Sequence, residues 1–205
     1  MIDRVFSHFG IGWRAFRSHP RVFVLSMLIL FASWVVLEVA VISLQRFGVV
    51  VWLILHFAFF LFFSGLMVGF HRIALNSVDG RAPELGDLIA LLGRGPTYLL
   101  ASCIYLVAVV GGLLLLVVPG VIIAVRYAFF GQVIATTSRS ALEALCGSAA
   151  LSKDRMLMLG AFLLLALLLN LAGAAFLGVG SFITFPVTLL ATSNLYRSLQ
   201  RSSAQ

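Results

Sequence analysis

Six apolar runs of roughly membrane-spanning length are separated by short connections, and nearly every basic residue falls on alternate connections. The runs are Val22–Leu44, Gly48–Phe70, Tyr98–Val118, Pro119–Thr137, Met156–Leu177 and Gly178–Leu195. An α-helix needs ~20 residues to cross a hydrocarbon core of about 30 Å. Arg4, Arg14, Arg17 and Arg21 precede the first run. Arg72, Arg81 and Arg94 lie in the second connection, and Arg139, Lys153 and Arg155 in the fourth. Arg197 and Arg201 follow the last run, so twelve of the fourteen basic residues share one side; Arg46 is opposite and Arg126 lies within a run. Positive charge stays on the cytoplasmic side of short loops. The expectation is an all-α membrane protein with six transmembrane helices and both termini in the cytoplasm.

Only 10% of the 205 residues are charged and 62% are hydrophobic, too little polar surface for a soluble domain of this size. The longest stretch outside the runs, His71–Thr97, has 27 residues, so residues 1–205 read as one polytopic domain. The net charge of +7 flanks apolar spans and forms no single polar face. It therefore suggests anionic lipid headgroups at the cytoplasmic surface, and no nucleic acid. Cys103, inside a run, and Cys146, in a connection, predict neither a disulfide nor a metal site. The first apolar run starts at Val22 and is too long for a cleavable signal, so it reads as a permanent span.

Ile2, Val5, Phe6, Phe9, Trp13 and Phe16 recur at spacings of three and four, with Arg4, Arg14 and Arg17 between them. Residues 1–21 thus predict an amphipathic helix in the inner interface, with a frayed tail as the alternative at Gly10 and Gly12. Asp79-Gly80 marks a turn, and Pro83 with Glu84 and Asp87 predicts a short helix over Glu84–Leu92. Ser140-Ala-Leu-Glu143 fits a capping box, followed by the stripe Ala141, Leu142, Leu145 and Ala149 up to Ser152. The outer connections are minimal: Gln45–Phe47, the Pro119-Gly120 break, and Gly173–Gly180. One reading is three units of interfacial helix, span up and span down. Any six-span chain with short loops looks similar, and both readings stand.

No zinc-protease, nucleophile-elbow, P-loop or dinucleotide pattern is present, and Ser64, Thr184 and Thr188 have no evident base. No catalytic residue, metal ligand or cofactor is predicted. Counting ~1.5 Å per residue puts Glu38 about 9 Å and His56 about 12 Å below the outer ends of their spans. Arg126 and Asn170 come out near that level, which predicts an intramembrane polar layer of Glu38, His56, Arg126 and Asn170. Charges are costly in lipid, so Glu38 and Arg126 are expected to pair inside the bundle, or Arg126 to reach the outer headgroups. The alternatives for the other two are a local backbone hydrogen bond for His56 and interhelical bonding for Asn170. Gly65-x-x-x-Gly69 predicts close helix packing, within the chain or in a homo-oligomer, and Gly111-Gly112 similar packing or a bend.

Val118-Pro-Gly-Val-Ile-Ile-Ala-Val-Arg-Tyr-Ala-Phe-Phe130, then Ala141-Leu-Glu-Ala-Leu145 and Ser152-Lys153, resemble a broad bacterial membrane-protein family. Gly12-Trp-Arg-Ala-Phe16, Asp79-Gly-Arg and Gly86-Asp-Leu88 share in the likeness. That family holds uncharacterised six-span proteins and is similar to the membrane region joined to some glycerophosphodiester phosphodiesterases. The resemblance implies a helical domain of a bacterial inner membrane and carries over no catalytic residue. From the short loops and the lack of a reactive constellation, the function expected is a non-enzymatic membrane module of envelope homeostasis or complex assembly, with a membrane-protein partner or a homo-oligomer as alternatives. The alternative is a small transporter or lipid-handling protein that uses the polar layer.

Overall fold

Backbone N–H and C=O groups in hydrocarbon must bond within the chain, and this sequence meets that demand with helices throughout. A computed structural model describes residues 2–137, 140–153, 155–176 and 178–203. It is 88% helix, with no strand among the described residues. Arg139 and Leu177 lie outside the described residues, as do the side chains of Ile2, Arg4 and Gln45.

The helices are α1 (Ile2–Ser18), α2 (Pro20–Leu44), α3 (Val49–Val78), α4 (Gly95–Leu115), α5 (Val117–Arg126), α6 (Phe130–Thr136), α7 (Ala141–Ser152), α8 (Met156–Ala175) and α9 (Ser181–Ser203). Five segments are long and apolar enough to cross a membrane: Pro20–Leu44, Val49–Val78, Leu85–Leu115, Val117–Thr136 and Met156–Ala175. They fit a multi-pass membrane protein. Helix α9, which holds most of the sixth apolar run, is not among them.

The composition of α9 follows from its place. Its residues from Pro186 to Ala191, with Ser193, Leu195, Tyr196 and Leu199, are buried by other helices. A helix shielded from lipid can carry hydroxyls, and Thr188 and Thr192 return theirs to the carbonyls of Phe185 and Thr188. Helix α1 lies along α9, where a Cβ on Gly12 would stand 2.8 Å from the Val187 carbonyl oxygen. Phe70 of α3 stacks on Phe185 of α9, with ring centres 6.1 Å apart. The α8–α9 turn closes with the backbone of Gly173 against Gly180, and Gly178 at φ +76° reverses the chain.

Helix α1 is amphipathic as expected, but its stripe divides. Val5, Phe9 and Phe16 are buried in the bundle, Phe9 stacking on Phe162 of α8 at 4.8 Å, while Phe6 and Trp13 stay exposed. This part of the stripe docks the helix on protein. His8 shares this seam, with Nδ1 3.1 Å from the Asn194 amide nitrogen, and burial lowers its pKa.

Several boundaries move from their expected places. Helix α3 runs eight residues past Phe70, because His71, Ile73, Ala74 and Leu75 are all buried by neighbouring elements and the half-exposed Arg72 is paired with Asp87. The break between α4 and α5 is at Leu116, in extended backbone, so Pro119 sits in the first turn of α5, where no intrahelical N–H is needed. The expected helix over Glu84–Leu92 is instead two 3₁₀ turns, Leu85–Leu88 and Leu92–Arg94. Gly86 and Gly93 weaken a helix there. The segment also has to follow a groove of α3, in which Leu88 rests on Gly69 and Leu92 on Gly65. Helix α7 starts after Ser140 as expected, but the Ser140 side chain makes no cap hydrogen bond to the first turn; the helix buries Ala141, Leu145 and Ala149 and leaves Leu142 exposed.

The two glycine pairs therefore do different work. Gly65 and Gly69 seat the Leu88–Gly95 segment against α3, and Gly95 packs back on the Leu61 carbonyl and Gly65. Gly112 meets Gly120 across the α4–α5 hairpin, while a Cβ on Gly111 would touch nothing. Gly69→Ala drives a methyl into the Leu88 backbone and is expected to cost about 2 kcal/mol or more, as overpacking does. Gly111→Ala is expected to be neutral, or stabilising by up to ~1 kcal/mol through helix propensity. Thermal unfolding of both variants in detergent checks the contrast.

Candidate functional site

The four residues of the expected polar layer are not brought together. Phe23 of α2 meets Phe70 of α3 edge-on, and that antiparallel register carries Glu38 to the level of Leu55 and His56. His56 is occupied locally: Nδ1 lies 2.9 Å from the Trp52 carbonyl oxygen, and its ring rests on the Trp52 indole at 4.1 Å. Glu38 is partly buried and makes no ion pair among the described residues. Arg126 ends α5 with its side chain exposed, and its carbonyl accepts the Ser148 hydroxyl of α7 at 3.1 Å. Helix α2 packs chiefly on α3 and α9, whereas α5 packs on α4, α7 and α8. The Glu38–Arg126 pair is thus corrected. Depth counted down separate spans says nothing about which helices share a face.

Of the four, Asn170 lines a cleft of about 720 Å³ between the α2–α3 hairpin and the α8–α9 turn, and the other three lie off it. Helix α2 contributes Met27, Leu30, Phe31 and Trp34, which fall at helical spacings of three and four and so share one face. Phe63 and Met67 of α3 form the second wall, and Val179, Phe182 and Phe185 the third. Phe31 closes on Phe182 edge to face at 5.8 Å. Phe31, Trp34 and Val179 are also exposed on the outer surface, so the cleft is continuous with the apolar exterior of the helices.

One polar corner interrupts this lining. The Asn170 amide nitrogen donates to the Ala166 carbonyl at 2.9 Å and to Thr188 Oγ1 at 3.1 Å. Its Oδ1 is buried without a partner, as is Thr184 Oγ1, which faces Gly173. Pro186, inside α9, has no N–H to give the Phe182 carbonyl one turn back. Such groups are costly to leave unbonded in an apolar setting. The corner offers acceptors and a hydroxyl, with no nucleophile–base pair. No group of three or more metal-ligating side chains occurs among the described residues.

Sequence reasoning singled out Asn170 and missed the rest of the cleft. The Met27, Leu30, Phe31, Trp34 spacing was a usable signal, but nothing separates a cleft-facing from a lipid-facing phenylalanine in one helix.

Strong ion pairing sits instead at the end of the bundle that holds Arg72, Arg81, Arg94 and Arg197, here called the basic end. Arg72 Nε lies 3.0 Å from Asp87 Oδ1, and the Asn76 amide donates to Asp87 Oδ2 at 2.8 Å. Arg197 reaches Asp79 at 2.5 Å and the side-chain oxygen of Gln200 at 2.9 Å. No protein-family model, curated protein or solved structure matches the chain.

Two mutant cycles separate these arrangements. Glu38→Gln and Arg126→Gln should lose stability additively within ~0.5 kcal/mol, as unconnected sites do. Asp79→Asn and Arg197→Gln should couple by about 1 kcal/mol, because their side chains are only 19% and 25% exposed. Thermal stability in detergent measures both.

Proposed function

We propose that this chain is a non-enzymatic, multi-pass membrane module whose working surface is the α2–α3/α8–α9 cleft, and that the cleft takes the acyl chain of a lipid. The observation that carries this reading is an apolar cavity of about 720 Å³ continuous with the exposed apolar flank. Its size falls in the range of small-molecule sites, about 300–1,000 Å³, and its walls suit a methylene chain. Phe63, Phe182 and Trp34 offer rigid faces, and Met27 and Met67 adaptable ones. The Asn170–Thr188 corner supplies one polar contact for an ester or hydroxyl group. Transport of an ion or polar solute has less support, since Glu38, His56 and Arg126 lie off the cleft. The role in envelope homeostasis expected from the sequence is retained, with a lipid as ligand.

In this reading α9 is the sixth span and both termini are cytoplasmic, which the distribution of Lys and Arg supports. The bacterial inner membrane is proposed from the likeness of Val118–Phe130 and Ala141–Leu145 to the six-span bacterial family.

Native mass spectrometry of the purified protein should show retained lipid. Met27→Trp and Met67→Trp fill the cleft and should reduce that lipid several-fold with little loss of thermal stability. Equal lipid retention by wild type and both variants would refute the cleft as the site. Topology is checked separately in a variant lacking Cys103 and Cys146. A cysteine placed at Ser203 should resist an impermeant reagent in intact cells and react after permeabilisation.

A further inference from the structure

A second cavity, of about 290 Å³, lies at the basic end where α3, α6 and α9 finish, and it is chemically unlike the cleft. Arg72, Arg81 and Arg197 line it with Asn76, Asp79 and Thr136. Asp79 neutralises Arg197 and Asp87 neutralises Arg72, so Arg81 leaves one positive charge uncompensated. The Arg81 guanidinium has no hydrogen-bond or ion-pair partner among the described residues. Arg197 spends both terminal nitrogens on Asp79 and Gln200, yet its Nε is buried with no partner. Arg72 is engaged through Nε alone, which leaves its terminal nitrogens available.

Donors therefore approach one small volume from α3, from the loop after it and from α9, with a net charge of about one. Helix C-termini usually repel anions, because their last carbonyls point outward. Here the Leu75, Asn76 and Ser77 carbonyls at the end of α3 accept the N–H groups of Asp79, Arg81 and Gly80, which blunts that repulsion. Arginine forks match the oxygens of a phosphoryl group better than a point charge would. A tetrahedral oxyanion can also face donors on three sides at once.

We propose that this cavity binds a phosphate group, held by Arg81, the terminal nitrogens of Arg72 and Arg197 Nε. The site is separate from the cleft and does not depend on a lipid chain being bound there. Its phosphate comes either from an anionic lipid headgroup at the adjacent membrane surface or from a free phosphate compound.

The whole chain is purified in an uncharged detergent and titrated with inorganic phosphate by equilibrium dialysis, at ionic strength held constant with chloride. In parallel it is placed in nanodiscs of phosphatidylcholine with or without phosphatidylglycerol, and the lipid held after extraction is identified by native mass spectrometry. Saturable phosphate binding in detergent assigns the free compound. Selective retention of phosphatidylglycerol without such binding assigns the headgroup. In either case Arg81→Gln, which breaks no existing pair, should weaken binding or retention about tenfold, the effect of losing one charge-assisted hydrogen bond. Arg46→Gln, outside the cavity, should leave both unchanged. The proposal is overturned if wild type shows neither form of binding, if Arg81→Gln binds as well as wild type, or if Arg46→Gln loses as much.

Discussion

The packing of α9 inside a sheath of other helices organises the molecule. In lipid, helices gain nothing from hiding apolar surface from one another, because the solvent is equally apolar. They associate where backbones approach closely and where polar groups find partners. Helix α9 offers both along its length. Gly12 lets α1 lie on its Val187–Ala191 stretch, Gly173 and Gly180 close the turn from α8, and Asn170 bonds Thr188. At its far end Arg197 is tied to Asp79, the residue that caps α3, and Tyr196 to Thr136 of α6 at 3.0 Å. The well-packed core, with Phe23, Phe70, Phe129 and Phe162 almost wholly buried, gathers toward the basic end. The apolar ends of α2, α3 and the α4–α5 hairpin project with most of their large side chains exposed.

That division explains what was legible in the sequence. Apolar length placed α2 and α8 within two residues at most ends, since long runs bounded by charges leave little freedom. The Ser140 signal located the start of α7. Helix α9 was placed as a span by its position in the alternation, but its hydroxyls reflect burial by protein, which no hydropathy pattern reports. The segment after α3 misled for a similar reason. Pro83, Glu84 and Asp87 do suit a helix start, and the Glu84 N–H does point at Asp87 Oδ2 at 3.4 Å. The carboxylate of Asp87 is shared with Arg72 and Asn76, and the backbone is drawn into the Gly65–Gly69 groove as 3₁₀ turns.

The polar layer failed on the step from depth to neighbourhood. Glu38 and His56 do share a level, because hairpin register follows from the short Gln45–Phe47 connection and is local information. Whether Arg126 meets either of them depends on how α5 sits among α4, α7 and α8, which is tertiary information. Asn170 was recognisable as a polar residue within an apolar run. Its partner Thr188 lies eighteen residues on, across a turn whose closeness rests on two glycines.

The cleft and the basic cavity share the same two helices, and their spacing decides whether one ligand can use both. Met67 to Asp79 on α3 and Phe185 to Arg197 on α9 are each twelve residues, about 18 Å of rise. At 3.6 residues per turn, Arg72 and Asp79 are rotated about 120–140° around α3 from Met67. A lipid with its chain between α2 and α8 would therefore have to wrap a third of a turn around α3 to place its phosphate among the arginines. Two separate ligands fit this geometry better than one. Communication between them would require α3 to slide or turn on α9. The Phe70–Phe185 stack near the cleft and the Asp79–Arg197 pair at the cavity hold those helices in register at both points. A phosphate held through Arg197 Nε leaves the Asp79 pair in place, so it would tighten the second of these fastenings without reaching the cleft.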